Sequence, residues 1–233
     1  MIETRELRAG YHRGLDILQG VSVSAGPGRI TAVLGVNGVG KSTLLKAICG
    51  FLKPTGGQVL LDGQNITGIA PHHMVGRGAV YAPQQPGIFA EMTVEENVML
   101  GGWSFRADAA RLARKLEENY GRFPVLKERR RSPARILSGG QRRMLELARA
   151  LMTDPRYLLI DEPSAGVAPL VAESIYRTVG ALRDSGVGIL LVDQDIRRAL
   201  SVADYVYIID LGRNRLEGPP SSFGDIVSAF WSG

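Results

Sequence analysis

Gly35-Val36-Asn37-Gly38-Val39-Gly40-Lys41-Ser42 has the spacing G-x-x-x-x-G-K-[ST]. Before it, Ile30–Leu34 is a short apolar run that reads as a buried strand. After it, a helical pattern extends from about Ser42 to Phe51. Strand, glycine-rich turn and helix are the context this spacing requires. Glycines let the backbone wrap closely around phosphate oxygens with its N–H groups turned inward. The helix that starts there adds its positive end. Gly35, Asn37, Gly38, Gly40, Lys41, Ser42 and Thr43 are therefore the candidate nucleotide-binding residues. Lys41 supplies a point charge for β- and γ-phosphates, and the Ser42 hydroxyl is a candidate Mg²⁺ ligand.

Outward from this turn, apolar runs alternate with helical patterns, as expected for a parallel sheet flanked by helices. Strands are predicted at Ala79–Ala82, Tyr157–Ile160 and Gly188–Val192. Helices are predicted at about Gly140–Met152, Leu170–Asp184 and Ile196–Ala203. The beginning differs. Residues 2–8, 16–25 and 58–62 read as strands without long intervening helices, which implies an antiparallel β layer. From Thr93 to about Phe123 the pattern is helical and polar, and Pro124 to Arg135 reads as a Pro/Arg-rich linker. The end reads as two short strands and a C-terminal helix. The expectation is an α/β P-loop NTPase fold, residues 1–233 forming one nucleotide-binding domain, with a helical insertion at about 90–155.

Composition sets wide bounds. The 233 residues suffice for one α/β domain with a full core. No apolar run approaches the roughly 20 residues that span a bilayer, and the first residues have no apolar signal segment. The single cysteine, Cys49, excludes an intrachain disulfide and fits a reducing compartment. The net charge of +5 is mild and by itself separates none of nucleotide, membrane surface or nucleic acid as partner. The densest basic patch, Lys127-Glu128-Arg129-Arg130-Arg131 with Arg135 nearby, reads as a solvated loop in preference to a docking surface.

Tyr157-Leu158-Leu159-Ile160-Asp161-Glu162 is an apolar strand ending in two acids. Two carboxylates there are costly unless they serve something charged. Asp161 is the candidate for the Mg²⁺ shell, and Glu162 is placed to polarise or deprotonate an attacking water. Leu137-Ser138-Gly139-Gly140-Gln141 opens a second helix, another ready anion site. Two anion-binding helix starts in one domain imply that one of them serves a neighbour's nucleotide.

With these residues in order, the chain resembles the ABC ATPase family, whose signature is LSGGQ, over essentially its whole length. The resemblance implies ATP and Mg²⁺ as ligands. It implies head-to-tail pairing, in which each ATP lies between one phosphate loop and the partner's signature at Ser138, Gly139, Gly140 and Gln141. Tyr11 falls where the family stacks an aromatic on adenine. Gln84, with its neighbour Gln85 as the alternative register, falls at the glutamine that touches Mg²⁺ and the attacking water. The loop from there through Phe89 is where the family meets its membrane partner. Two positions depart. Ala168, in Ser164-Ala165-Gly166-Val167-Ala168-Pro169, replaces the usual acid, and Gln194, in Val192-Asp193-Gln194-Asp195, replaces the usual switch histidine. His12, His72 and His73 lie elsewhere. Gln hydrogen-bonds a phosphate but cannot carry charge or shuttle a proton as His can.

SAGVAP, VDQD, IFAEMTVEENVMLGG and RRMLELARALMTDPRYLLIDEPS look like the ATPases of branched-chain amino acid and related uptake systems. Pro83-Gln84-Gln85-Pro86 departs from that subgroup, whose members often read Pro-Glu-Gly-Arg or Pro-Glu-Asp-Arg, so urea and amide importers stay open. So do a lipid or lipopolysaccharide exporter and, further off, a soluble ABC ATPase. The resemblance implies a peripheral protein on the cytoplasmic face of the inner or plasma membrane. Its implied partners are membrane permease subunits, a second paralogous ATPase or a copy of itself, and indirectly a periplasmic or extracellular binding protein, with no nucleic acid.

Overall fold

Apolar runs that look alike in sequence enter two different sheets. The fold, taken from a computed structural model, is described for residues 1–12, 14–85 and 87–223. The first half contains β1 (Ile2–Ala9), β2 (Leu18–Val21), β3 (Ser24–Ala25), β4 (Ile30–Leu34) and α1 (Lys41–Ile48). Next come β5 (Gly56–Leu61), β6 (Gln64–Asn65), α2 (Pro71–Gly76) and β7 (Ala79–Ala82). A helical stretch follows: α3 (Val94–Leu100), α4 (Ala109–Arg122), α5 (Pro124–Glu128) and α6 (Gly139–Leu151). The rest is β8 (Tyr157–Asp161), α7 (Pro169–Asp184), β9 (Gly188–Asp193), α8 (Ile196–Val202), β10 (Tyr205–Asp210) and β11 (Arg213–Gly218).

One sheet is antiparallel, in the order β2-β1-β5-β6, with β3 also paired to β1. The other runs β11-β10-β4-β9-β8-β7 and is parallel except for β11. The parallel strands are buried on both faces, which explains their unbroken apolar sequence. In β8, Leu158 and Ile160 join the core under the later helices, while Tyr157 and Leu159 join the core shared with α1 and the antiparallel layer. In β9, Ile189 and Leu191 face the first core, and Leu190 and Val192 the second.

Several expectations need correction. The stretch 16–25 is two strands, interrupted at Ser22–Val23. The helical stretch after Thr93 is broken at Gly101-Gly102. Thr93 and Glu96 form a reciprocal capping box that fixes the start of α3. The segment Pro124–Arg135 is not a plain linker. Pro124 occupies the first turn of α5, where its fixed φ favours helix, and Phe123 and Leu126 are fully buried beside it. The short β6 and α2 carry too little periodicity to be read from sequence. The C-terminal helix expectation concerns residues that lie beyond 223, outside the described ones. Among the described residues no helix is long and apolar enough to cross a membrane.

Candidate functional site

The strand order β4-β9-β8-β7 sets four C-terminal strand ends side by side. β4 leads into Gly35–Lys41, β9 into Gln194, β8 into Asp161–Glu162, and β7 into Gln84. Carboxyl ends of parallel strands are where open α/β sheets bind ligands.

The turn after β4 is shaped by its glycines and by α1. Gly40 has φ +110, and a Cβ there would meet Leu18 Cδ2 at 2.8 Å, so only glycine fits. α1 begins at Lys41 with no side-chain cap, so its first N–H groups point out of the helix unpaired. Lys41 is almost fully buried. Its Nζ donates to the carbonyls of Gly35 (2.8 Å) and Val36 (3.0 Å) and lies 3.9 Å from Glu162 Oε1. Burial lowers its pKa, and the carboxylates of Glu162, Asp193 and Asp161 oppose this. A buried ammonium held open by carbonyls beside uncapped N–H groups suits a polyanion such as a nucleotide phosphate chain.

Ser42 Oγ donates to Asp161 Oδ1 at 2.9 Å, and Tyr81 donates its phenol to Asp161 Oδ2 at 2.8 Å. Burial next to Asp161 pushes the Tyr81 phenol far above its usual range. Among the described residues there is no cluster of three or more His, Cys, Asp or Glu able to hold a metal. A hydroxyl paired with one carboxylate instead fits Mg²⁺, which usually takes one or two protein oxygens and completes its shell with phosphates and water.

Glu162 turns into the left-handed region, φ +44, as β8 ends, and its N–H donates to the Val192 carbonyl at 2.8 Å. Its Oε2 accepts from Gln84 Nε2 at 2.6 Å. Burial raises the Glu162 pKa, with Lys41 the main opposing influence. A carboxylate with raised pKa is a better proton acceptor.

Asp193, at the end of β9, has no exposed surface. It accepts from Ser164 Oγ (3.1 Å), Tyr176 OH (2.5 Å) and the N–H groups of Gln194 (2.7 Å) and Asp195 (2.9 Å). It therefore joins the loop after Glu162 to the loop carrying Gln194. The Gln194 side chain is exposed at this edge, and none of His12, His72 and His73 hydrogen-bonds to a site residue through its ring. Ala168 precedes α7 without capping it, and Pro169 takes the first turn.

Tyr11 lies half-exposed on the turn after β1. Lys46 of α1 donates to its hydroxyl at 3.2 Å and sits 5.4 Å from its ring centroid, which puts the ring beside the helix that starts at Lys41. Ser138, Gly139, Gly140 and Gln141 are elsewhere. Ser138 Oγ accepts from the Gln141 N–H and Gln141 Oε1 from the Ser138 N–H, capping α6. A Cβ on Gly140 would come within 2.5 Å of Val171 Cγ1. Among the described residues no hydrogen bond or ion pair links 138–141 to 35–43. Tyr81, Arg143 and Asp193 were given no role by sequence reasoning. Asp193 and Arg143 lie inside quoted segments and Tyr81 inside a predicted strand, but none of the three carries a motif signal of its own.

The ABC transporter family profile matches residues 18–165. The chain belongs to the ABC transporter family of ATPases. Within it, the chain resembles the branched-chain amino acid subgroup. The probable branched-chain amino acid transport ATP-binding protein LivF of Archaeoglobus fulgidus is 39% identical over 219 residues, covering 94% of this chain and 92% of that protein. The lipopolysaccharide export system ATP-binding protein LptB of Haemophilus influenzae is 34% identical, covering 94% and 91%. Among solved structures, a nucleotide-free ATP-binding cassette from an ABC transporter aligns with a TM-score of 0.84 at 30% identity, covering 99% of this ABC ATPase and 98% of that chain. The fold is thus the α/β P-loop NTPase fold of ABC cassettes, with its antiparallel layer.

Proposed function

We propose that this chain is the ATP-binding and ATP-hydrolysing subunit of an ABC importer for branched-chain or other amino acids. The observation that carries the hydrolytic part is the row of four strand ends, which sets Lys41, Ser42, Asp161, Glu162, Gln84 and Gln194 along one edge. Lys41 and the first N–H groups of α1 bind the phosphates. Ser42, Asp161 and Gln84 are the residues that would hold Mg²⁺, which would supply positive charge at the phosphate oxygens. Glu162 takes a proton from the attacking water at its carboxylate, and Gln84 orients that carboxylate. Tyr11 stacks on the adenine, and Gln194 donates to the terminal phosphate.

The separation of 138–141 from 35–43 supports a second part of the reading. Two ABC ATPases pair head to tail, each closing the other's site with its Ser138–Gln141 equivalent. The partner is a paralogous ATPase or a second copy of this chain. The stretch 90–155 acts as a helical arm that meets permease subunits through the loop ending at Phe89, whose side chain is exposed. The chain then sits peripherally on the cytoplasmic membrane face, with a binding protein as an indirect partner.

A second reading, lipopolysaccharide export, is favoured by the LptB relatives. Gln194 weighs against it, because a switch histidine is expected there. Purification from membranes discriminates the readings. Amino-acid import is supported if two multispanning permeases and a second ATPase co-purify with an amino-acid-binding protein. It is overturned if the tagged chain brings down lipopolysaccharide export components, or if the complex lacks MgATP hydrolysis.

Gln194 also implies a slow site. In the purified complex, Gln194→His is expected to raise turnover about tenfold by restoring a group able to shuttle protons. An unchanged rate, together with loss of all hydrolysis in Lys41→Ala, would show that this site is not the slower one.

A further inference from the structure

Arg143 lies on α6, two residues beyond Gln141, and is 3% exposed. Its guanidinium donates through one terminal nitrogen to the Pro83 carbonyl and, at 3.4 Å, to the Gln84 carbonyl. Through the other it donates to the Asp161 carbonyl. Its Nε has no partner and no exposed surface. Burial lowers the guanidinium pKa, while Glu146, Asp161 and Asp193 favour the charged form. A buried cation with one orphaned donor is expensive. Two carbonyls on separate elements need a rigid planar fork, which Arg has and Lys lacks.

The surrounding contacts show what the fork joins. The loop after β7 is fastened to the helices at three other points. The Gly87 N–H donates to Glu146 at 3.0 Å, Arg149 donates to the Gly87 carbonyl at 2.6 Å, and Asn97 bonds both the N–H and the carbonyl of Phe89 at 2.8 and 2.9 Å. Asn97, Glu146 and Arg149 bond to that loop and not to β8. Among the described residues Arg143 is the one side chain of α3–α6 hydrogen-bonded both to that loop and to β8. It does so from the helix whose first turn carries Ser138–Gln141.

We propose that Arg143 is a positioning residue that ties the Ser138–Gln141 helix to Gln84 and to the Asp161–Glu162 strand end. The inference rests on the two-half-site reading above. Through Arg143, the helix start offered to a partner's nucleotide is joined by hydrogen bonds to the Gln84–Glu162 pair at this chain's own phosphate site.

The test uses the full chain in three forms, wild type, Arg143→Met and Arg143→Lys. Met keeps an unbranched apolar stem and loses every donor, and Lys keeps the charge and loses the fork. Backbone hydrogen exchange at 83–89 and 160–164 is expected to rise about tenfold in Arg143→Met and less in Arg143→Lys, with exchange at 35–43 unchanged. In the complex, kcat is expected to fall about thirtyfold in Arg143→Met with KM for MgATP within about threefold, since no phosphate contact is lost. Adding Gln84→Ala to Arg143→Met is expected to cost little beyond Gln84→Ala alone, because Arg143 acts through Gln84. Unchanged exchange at 83–89 overturns the proposal. So does a parallel loss of kcat, ATP affinity and melting temperature, which marks a purely structural side chain. A wild-type complex that fails to hydrolyse ATP while exchange responds as expected sinks the functional reading and leaves the linkage standing.

Discussion

Glu162→Gln is expected to bind MgATP as the wild type does and to hydrolyse it about a hundred- to ten-thousandfold more slowly, the range typical of losing a general base. The substitution preserves shape. The Gln84 amide, now 2.6 Å from a carboxylate oxygen, still finds a carbonyl oxygen to bond. What disappears is the group that accepts a proton. Burial holds that carboxyl above its usual pKa, which strengthens it as a base. The attraction to Lys41 at 3.9 Å is also lost, but Lys41 keeps its two carbonyl bonds, so the phosphate loop retains its geometry. With hydrolysis blocked and binding intact, ATP should hold the paired subunits together. Size-exclusion chromatography with MgATP, alongside a phosphate-release assay, reads both consequences. Steady-state hydrolysis at the wild-type rate would remove Glu162 from its assigned role.

Lys41→Ala is expected to do the reverse and lose binding itself. Lys41 is buried in the wall of the phosphate loop. Removing it strips the loop of its full positive charge and leaves only the partial charges of N–H groups. A charge-assisted contact to phosphate in a shielded site is worth about 3 kcal/mol, so MgATP affinity should fall about a hundredfold. The fold should survive. Of the two carbonyls that lose Lys41, that of Val36 belongs to an exposed residue and can turn to water, and only that of Gly35 is buried. Isothermal titration with MgATP beside a thermal melt separates the two effects. Undiminished affinity in a folded variant would show that the nucleotide sits elsewhere.

Much of the fold was legible because its local rules agree. An apolar run, a glycine-rich turn and an amphipathic run can form little besides strand, phosphate loop and helix, and α1 and β4 follow that reading with only the helix end shortened. The buried parallel strands were legible for the same reason. α5 was misread because Pro124 and the arginines suggested a linker. The residues that set its fate are Phe123 and Leu126, and their burial depends on what packs over them. Tyr81, Arg143 and Asp193 belong to no spacing rule. Tyr81 and Arg143 have partners far along the chain, 80 residues for Tyr81 with Asp161 and 60 for Arg143 with Pro83, and Asp193 ties its own neighbours Gln194 and Asp195 to Ser164, 29 residues away.

By itself, the sequence determined which residues are the candidates for phosphate, metal and water: Gly35–Ser42, Asp161–Glu162 and Ser138–Gln141. Their types and spacings are local, and short-range backbone physics acts on them directly. Only the tertiary structure decided which of them lie together. The order β4-β9-β8-β7 brings Lys41, Glu162 and Gln84 into one contact set and leaves Ser138–Gln141 outside it. That order arises from burying both faces of a parallel sheet between two cores, a long-range requirement that no single stretch of sequence records.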